Sequence, residues 1–235
     1  MPSAYSSKNG PNMKKNFKQI LAVSVVSLGL VWLFVMYAHL TLPNVDALKT
    51  KNPVSTAFME LYRGPSSLQY AWVPYSKIAP SLKQAVVIAE DSAFFEHSGF
   101  DWQAIREAFA KDWRKKELAR GGSTITQQLA KNLYLSPSKN PLRKLKEILI
   151  TVQLEQRLSK QRILEIYLNV VEWGEGIYGA ESAAEYYFHT KAGNLSPAQS
   201  AWLAAILPNP KYYQNHRDRA LLESKVELIL YRMGY

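Results

Sequence analysis

The sequence predicts a mainly α domain preceded by a single N-terminal transmembrane helix. Near the N-terminus, 19 consecutive residues carry no charge, and a helix of about 20 apolar residues spans a bilayer. Beyond residue 80, apolar residues recur at helical spacing behind residues that cap helices, without the alternation typical of half-buried strands. The sequence contains neither a Rossmann nor a phosphate-loop signature.

Composition limits the function classes. The chain has 235 residues, enough for one large domain or two small ones. It contains no cysteine, which excludes disulfides, thiolate metal sites and cysteine nucleophiles. The formal net charge is +10, which suits a polyanionic partner: nucleic acid, an anionic membrane surface or a phosphorylated substrate.

The N-terminal segment selects among these partners. Residues 1–19 form a basic tail without an acidic residue, and residues 20–38 form the uncharged run. A cleaved signal peptide is the rival interpretation, but its apolar region has only about 15 residues, and no good cleavage site follows here. We therefore expect an uncleaved transmembrane helix. Because lysines flank its N-terminal end, the tail stays in the cytoplasm and the rest of the chain lies across the membrane. This topology predicts no nucleic-acid partner.

The remainder divides into a linker, residues 39–54, and a domain, residues 55–235. Proline and glycine punctuate residues 40–80, where we predict one short strand within residues 69–73. Each later helix is predicted from its capping residue or from its apolar pattern. The predicted helices begin at Ser81 (to 90), after Asp101 (to 118), after Thr124 (to 135), after Asn140 (to 158), after Ser159 (to 170), after the glycine-rich bend 173–179 (to 188), after Ser196 (up to Pro208) and at Arg219 (to 233).

The first predicted helix of the domain ends abruptly in two adjacent carboxylates, Glu90 and Asp91. A carboxylate at a helix C-terminus meets the unfavourable end of the helix dipole, so this position indicates function as readily as a solvated helix end. His97 follows without a second His, a Cys or an acid at metal-ligand spacing. That pattern favours a structural role for His97 over metal binding.

Gly121 and Gly122 precede Ser and Thr at a helix start. Free amides and hydroxyls there can hold an anion such as phosphate, although the same residues also serve as a plain cap. In the helix that follows, Thr124, Gln128 and Lys131 share a polar face opposite an apolar one. That polar face either lines a site or is simply exposed to solvent.

Arg143, Lys144 and Glu147 share one face of the long helix, because they are three and four residues apart. One interpretation is a surface ion-pair cluster of little energetic worth. The other is a clamp for a pyrophosphate leaving group, with Glu147 orienting the cations or a metal. Glu90 after an apolar run and Glu147 among cations occupy unlike settings. Such settings separate proton affinities, as acid–base chemistry at a sugar or phosphate centre requires.

In order and spacing, these residues resemble the motifs of the peptidoglycan glycosyltransferases, the family whose module is shared with bifunctional penicillin-binding proteins. With one anchor and no transpeptidase domain after it, the chain resembles the monofunctional biosynthetic transglycosylases. The five motifs lie at residues 90–101, 121–132, 143–147, 163–179 and 184–188. The fifth departs from the family pattern, because His189 stands where a glycine commonly follows the phenylalanine. The resemblance covers about residues 55–210.

The resemblance implies a lysozyme-like fold with two lobes around a cleft, and polymerisation of lipid II into glycan strands. Glu90 would be the general base that deprotonates the acceptor 4-hydroxyl, and Glu147 would assist at the departing undecaprenyl pyrophosphate. The substrate-binding residues carried over from the motifs are Asp91, Phe94, His97, Thr124, Gln128, Lys131, Asn132, Arg143 and Lys144.

The resemblance also implies location and partners. The chain would be a single-pass protein of the cytoplasmic (inner) membrane with its catalytic domain on the outer, periplasmic face. Its partners would be lipid II, the growing glycan strand and membrane lipid, with other cell-wall synthesis or division proteins as further candidates. No cofactor is required. A divalent cation such as Mg²⁺ could assist at the pyrophosphate, although no metal-ligand spacing demands one.

Two other function classes stay open on the residues alone. A lysozyme-like hydrolase or lytic transglycosylase would share a catalytic glutamate but would have no use for the cationic cluster at residues 143–147. A non-enzymatic scaffold that binds glycan or a division partner would not need Glu90 and Glu147 intact.

Trp102, Ile105, Phe109 and Trp113 form one apolar stripe, and basic residues accompany it between positions 106 and 120. Such a stripe usually packs into a core. The alternative is a basic, aromatic helix that lies in the membrane interface beside a cleft for a lipid-linked substrate.

Overall fold

The fold is mainly helical, as predicted. The computed structural model describes residues 10–64, 67–107, 122–138, 140–216 and 219–235. The chain separates into a unit that ends at Leu42 and a unit from Pro43 to Tyr235. The helices are α1 (Gly10–Thr41), α2 (Ala57–Glu60), α3 (Pro80–Glu90), α4 (Ile125–Tyr134), α5 (Pro141–Arg157), α6 (Lys160–Val170), α7 (Ala180–Phe188), α8 (Pro197–Ile206), α9 (Pro210–Asn215) and α10 (Arg219–Met233). The strands are β1 (Gln69–Tyr70), β2 (Glu172–Gly174) and β3 (Ile177–Tyr178).

The first unit is the helix α1. Its segment Asn16–Phe34 is long and apolar enough to cross a membrane, and it overlaps the predicted span at residues 20–38. The Ser24 and Ser27 hydroxyls donate to carbonyl oxygens four residues earlier. The polar side-chain groups of these two serines are therefore satisfied within the helix, as a bilayer requires.

Capping side chains begin several helices of the second unit where the sequence predicts them. Thr124 and Ser196 each form a reciprocal capping box with the residue three positions later. Asn140 and Ser159 accept hydrogen bonds from backbone amides at the start of α5 and α6. The Asp101 carboxylate accepts from the Ala104 amide at 2.8 Å, and residues 102–107 are helical. The rest of the helix predicted to reach residue 118 lies outside the described residues.

The predicted cap at Ser81 is wrong. Helix α3 begins one residue earlier with Pro80 at its first position, and its N-cap Ala79 makes no side-chain bond. Proline suits this position because its missing N–H is one that the helix leaves unpaired anyway. The Ser81 hydroxyl instead lies 2.8 Å from the Ser200 hydroxyl and donates to the Leu195 carbonyl. It therefore ties α3 to α8.

A small three-stranded sheet interrupts the helices, in the order β1-β3-β2. Strand β1 pairs in parallel with β3, and β2 pairs with β3 in antiparallel orientation. The predicted strand within residues 69–73 is present but shorter, and the two strands of the glycine-rich bend are additional. The bend ends at Gly179 with φ of +84°. A Cβ there would lie 2.5 Å from the Asn169 carbonyl oxygen, so only glycine allows α7 to start against the end of α6.

The core of the second unit forms around two sets of helices. Helix α3 packs against α8 and α10, and α4 packs against α2, α5 and α6. Fully buried residues from both sets include Leu82, Leu129, Ile166 and Leu203. This packing fixes the C-terminal end of α3 and the polar face of α4.

Part of the predicted linker, residues 39–54, packs on the second unit. Val45 and Leu48 are buried. The Arg162 guanidinium on α6 donates to the carbonyls of Leu48 and Lys51 and to the Asn52 side chain, at 2.8 to 2.9 Å. These bonds hold the entry segment against α6.

Candidate active site

Glu90 is the last residue of α3 and is half-buried. Its Oε2 accepts a hydrogen bond of 2.7 Å from Nε2 of Gln128 on α4. Burial raises the pKa of Glu90, and the neighbouring Asp91 adds to that rise, while the Gln128 bond and the charge of Lys131 oppose it. A carboxylate whose pKa lies above its ordinary value accepts a proton more readily, which suits a general base.

Gln128 is itself held by Tyr167, a fully buried residue of α6. The Tyr167 hydroxyl donates to Gln128 Oε1 at 2.9 Å. Burial, with the charges of Glu90 and Asp91, raises the pKa of Tyr167 well above its ordinary value, so its hydroxyl keeps its proton. Tyr167 was not among the predicted site residues. Its position in the fourth motif was the one signal for it in the sequence.

Asp91 and His97 bind each other. Asp91 Oδ1 lies 2.8 Å from His97 Nε2, and Asp91 Oδ2 accepts from the Ile125 amide at 2.9 Å. The Gly99 amide donates to His97 Nδ1, so the hydrogen of a neutral His97 ring is on Nε2. Asp91 places a negative charge at the N-terminus of α4, where it is favourable. Both residues therefore join the end of α3 to the start of α4.

Three other predicted substrate-binding residues are buried. The Thr124 hydroxyl donates to the Gly99 carbonyl at 2.7 Å, and its backbone belongs to the α4 capping box. Phe94 has no exposed surface, and Lys160 Nζ lies 4.4 Å from its ring centre. Asn132 is also buried. In this conformation Phe94 packs the protein interior and presents no surface to a substrate.

Glu147 is buried between two cations on the same helix. Its Oε2 accepts from Arg143 Nη1 at 2.8 Å, and its Oε1 accepts from Lys144 Nζ. The predicted pairing of these three residues on one helix face is confirmed. One carboxylate is thus paired with two cations, which leaves the cluster of Arg143, Lys144 and Glu147 with one formal positive charge.

The charge of Lys131 interacts with both carboxylates, Glu90 and Glu147. Burial lowers its pKa, and Arg143 and Lys144 lower it further, whereas both Glu147 and Glu90 raise it. In the described part of the chain Lys131 forms no ion pair, and its Nζ lies 5.7 Å from the Phe58 ring centre. Lys131 is therefore a cation whose charge interacts with both glutamates.

The site offers no ready protein ligands for a divalent cation. Within the described ranges, no group of three His, Asp or Glu residues could hold a metal. At Glu147, the acidic residue of the cationic cluster, both oxygens already accept from Arg143 and Lys144. These residues do not fit a protein-held Mg²⁺.

Two residues of the fourth motif, Asn169 and Glu165, form hydrogen bonds with the segment that precedes α3. The Asn169 side chain accepts from the Val73 amide and donates to the Val73 carbonyl, at 2.8 and 2.9 Å. Glu165 accepts from the Tyr75 amide at 2.8 Å. These bonds fix the segment before α3 against α6, the helix that carries Tyr167.

A cavity of about 200 Å³ is lined by Glu90 together with Asp91, Asp101 and the start of α4. Arg232, near the end of α10, also lines it and was not predicted. Gly121, part of the predicted anion seat, lies outside the described residues. Glu90 is therefore open to this cavity.

A helical domain with two glutamates in unlike settings and a cationic cluster is the arrangement expected of an acid–base enzyme that acts on an anionic group. A family model described as Transglycosylase matches residues 57–234. The chain belongs to this family.

Relatives of similar length support the assignment. A biosynthetic peptidoglycan transglycosylase of Chromobacterium violaceum is 49% identical over 213 residues, which cover 88% of this chain and 93% of the relative. Proteins of the same name from Laribacter hongkongensis and a Janthinobacterium species are 46% and 45% identical. The first covers 88% of this chain and 93% of the relative, and the second 94% and 98%.

Proposed function

We propose that the protein is a peptidoglycan glycosyltransferase of cell-wall synthesis that polymerises lipid II and releases undecaprenyl pyrophosphate. Its family and its relatives' names support a glycosyltransferase. The observation that supports the mechanism is the contrast between Glu90, whose pKa burial raises, and Glu147, which is buried in ion pairs with Arg143 and Lys144.

Glu90 acts as the general base in this proposal. It removes the proton from the 4-hydroxyl of the acceptor sugar while that oxygen forms a bond to the anomeric carbon of the growing strand. The bond from the anomeric carbon to the pyrophosphate oxygen breaks with its electron pair, and the carbon is inverted. The Gln128 bond occupies one Glu90 oxygen, which leaves the other to accept the proton.

The cations hold the leaving group. Breaking the glycosidic bond builds negative charge on the pyrophosphate, and preorganised cations stabilise such charge most strongly. Arg143 and Lys144 are fixed by Glu147, and the charge of Lys131 interacts with both glutamates. Glu147 acts by orienting the cations. A divalent cation would have to arrive on the pyrophosphate, because the residues at Glu147 do not offer ligands for it.

The apolar helix α1 fits a single-pass anchor. We propose that residues 1–19 lie in the cytoplasm and that the catalytic domain lies on the outer face of the inner membrane. Besides lipid II and the growing strand, membrane lipid and other cell-wall synthesis or division proteins are the proposed partners. Nucleic acid is not a proposed partner.

Incubation of the purified full chain in detergent with labelled lipid II tests the function. A glycosyltransferase produces polymer. A lytic enzyme instead cleaves preformed strands, and a scaffold does neither.

Glu90→Gln and Glu147→Gln test the two roles. We expect Glu90→Gln to lower the polymerisation rate by a factor of about 100 to 10,000, the usual cost of losing a positioned base. Glu147→Gln should also abolish most activity, because Arg143 and Lys144 lose their anchor. The matched control Glu223→Gln changes an exposed glutamate of α10 and should leave the rate unchanged. Full turnover by Glu90→Gln would overturn the assignment of the base.

A further inference from the structure

The hydrogen bonds of Glu90 form a chain that runs through Gln128 to Tyr167. Tyr167 donates to Gln128 Oε1, and Gln128 Nε2 donates to Glu90 Oε2, at 2.9 and 2.7 Å. An amide has one oxygen that accepts and one nitrogen that donates. The buried Tyr167 hydroxyl has Gln128 Oε1 as its one acceptor among the described residues, so its bond to the amide oxygen keeps the amide nitrogen toward Glu90.

The hydrogen bond of the Tyr167 hydroxyl is to Gln128, and Tyr167 is fully buried in α6. Glu165 and Asn169 lie before and after Tyr167 on α6, and both bond the segment that precedes α3. These bonds fix the position of Tyr167. A buried hydroxyl needs a partner, and Gln128 supplies it. The three side chains come from three helices, so their alignment depends on the packing of α3, α4 and α6.

We propose that Tyr167 is a positioning residue for the general base, holding the Gln128 amide in the orientation that stabilises ionised Glu90. The inference rests on the proposed function only in naming Glu90 as the base. Without the tyrosine hydroxyl, the amide is free to turn its oxygen toward Glu90. An amide oxygen can bond only the protonated carboxyl, so the turned amide favours the form of Glu90 that cannot act as a base.

The charged groups around Glu90 set the direction of the effect. Asp91 favours the protonated form, and Lys131 favours the ionised form. Asp101 and Arg232 line the same cavity. None of these groups bonds Gln128 in the described structure, so removal of the Tyr167 hydroxyl leaves them in place. The change should therefore act on Glu90 through the amide.

Tyr167→Phe tests the proposal, because it removes one oxygen and keeps the ring. We expect the acidic limb of kcat/KM with lipid II to move to higher pH and the rate below the optimum to fall about tenfold, the scale of one hydrogen bond to a charged group. Tyr213→Phe is the matched control: Tyr213 is also buried, and its hydroxyl accepts from Lys225. It should leave the acidic limb in place.

A double-mutant cycle separates positioning from a merely structural role. Gln128→Leu should move the acidic limb at least as far as Tyr167→Phe, and Tyr167→Phe should add nothing in the Gln128→Leu background. An undiminished shift in that background would overturn the proposal. So would a lower melting temperature of Tyr167→Phe with an unmoved acidic limb.

A spectroscopic titration tests the effect of Tyr167 on Glu90 independently of the enzymatic activity. The carbon-13 shift of the Glu90 carboxyl, assigned by its loss in Glu90→Gln, reports the pKa of Glu90 without turnover. We expect Tyr167→Phe to raise that pKa even if the wild-type protein makes no polymer, a result that would refute the proposed function alone. An unchanged Glu90 pKa in Tyr167→Phe would refute the inference alone.

Discussion

Burial acts in opposite directions on Glu90 and Lys131, two residues of the proposed active site. It raises the pKa of Glu90 and lowers the pKa of Lys131, because a low-dielectric setting disfavours whichever form is charged. In the proposed mechanism Glu90 must be ionised to accept a proton, and Lys131 must be protonated to hold pyrophosphate. The active form of the site therefore exists only between these two pKa values.

This arrangement predicts a bell-shaped dependence of kcat/KM on pH. Its acidic limb should lie above the ordinary glutamate value of 4.5, and its alkaline limb below the ordinary lysine value of 10.5. Lys131→Arg places a guanidinium there, which is not deprotonated in proteins, so the alkaline limb should disappear while the acidic limb remains. Initial rates across pH measure this. An alkaline limb that survives Lys131→Arg would assign that limb to another group, and Lys191→Arg serves as the exposed control.

Glu90 should also cost the protein stability at neutral pH. Since its folded-state pKa is raised above its ordinary value, the folded state binds more protons than the unfolded state between the two pKa values. The free energy of unfolding therefore falls as pH rises through that window, and the cost is fully present above the folded pKa. Glu90→Gln removes this cost and can still accept the Gln128 bond.

We therefore expect Glu90→Gln to melt at a higher temperature than wild type near pH 8, with the difference shrinking as the pH falls toward about 4. Thermal unfolding of both proteins in detergent at several pH values measures the difference. A gap in melting temperature that did not change with pH would mean that desolvation of the Glu90 charge is not its source.

At the scale of a single element, helix α7 ends in a conformation that its sequence does not favour. His189 has φ of 51° and ψ of 42°, and it is the one non-glycine residue with positive φ in the described ranges. Its amide bonds the Ala184 and Glu185 carbonyls, which closes the helix with a left-handed C-cap. The left-handed conformation costs an L-residue roughly 1 to 2 kcal/mol.

His189→Gly should stabilise the protein by about 1 kcal/mol, after part of the gain is lost to the greater freedom of glycine in the unfolded chain. For a chain of this size that is a rise of about 2 to 4 °C in melting temperature. The histidine side chain is exposed, so its removal forfeits no burial. His189→Ala is the control, because alanine removes the side chain without relieving the backbone, and it should not melt higher than wild type.

The helix starts and strands show which parts of the fold depend only on residues close together in the sequence. Thr124, Ser159 and Ser196 cap their helices as predicted, because a cap needs only residues within three positions. Ser81 failed as a predicted cap because its hydroxyl has a partner on α8, more than 100 residues away. The strands of the glycine-rich bend have two or three residues each, too few for alternation to appear in the sequence.

In the candidate site, too, contacts within one helix were predictable and contacts between helices were not. The ion pairs of Glu147 lie within one helix turn and were predictable from spacing. The bond from Gln128 to Glu90 and the bond from Tyr167 to Gln128 join different helices, 38 and 39 positions apart. The sequence indicated that Glu90 and Gln128 belong to one site only through the family resemblance. It gave no residue-level reason to place Tyr167 there, because that depends on how α4 and α6 pack.

At the scale of the whole molecule, the net charge of +10 and the apolar helix α1 both suit an anionic membrane. A second membrane contact is predicted in the catalytic unit, at the apolar stripe of Trp102, Ile105, Phe109 and Trp113. Trp102 is 66% exposed, so it is not a core residue. Phe109 and Trp113 lie outside the described residues. The exposure of Trp102 favours membrane contact over packing for the start of the stripe.

A chain lacking residues 1–42 tests that contact, because residues 43–235 form a compact unit of their own. We expect it to bind anionic vesicles at low salt and to dissociate as salt screens its basic residues. Trp102→Ser with Phe109→Ser should weaken vesicle binding at least about tenfold, since inserting one large apolar side chain contributes roughly 1.5 to 3 kcal/mol. The matched control, Leu221→Ser with Tyr231→Ser, changes two exposed apolar residues of α10 and should bind as before. Co-sedimentation measures binding, and circular dichroism checks that each variant is folded. A truncated chain that ignores vesicles, or a Trp102 and Phe109 double variant that unfolds, would assign the stripe to the protein core.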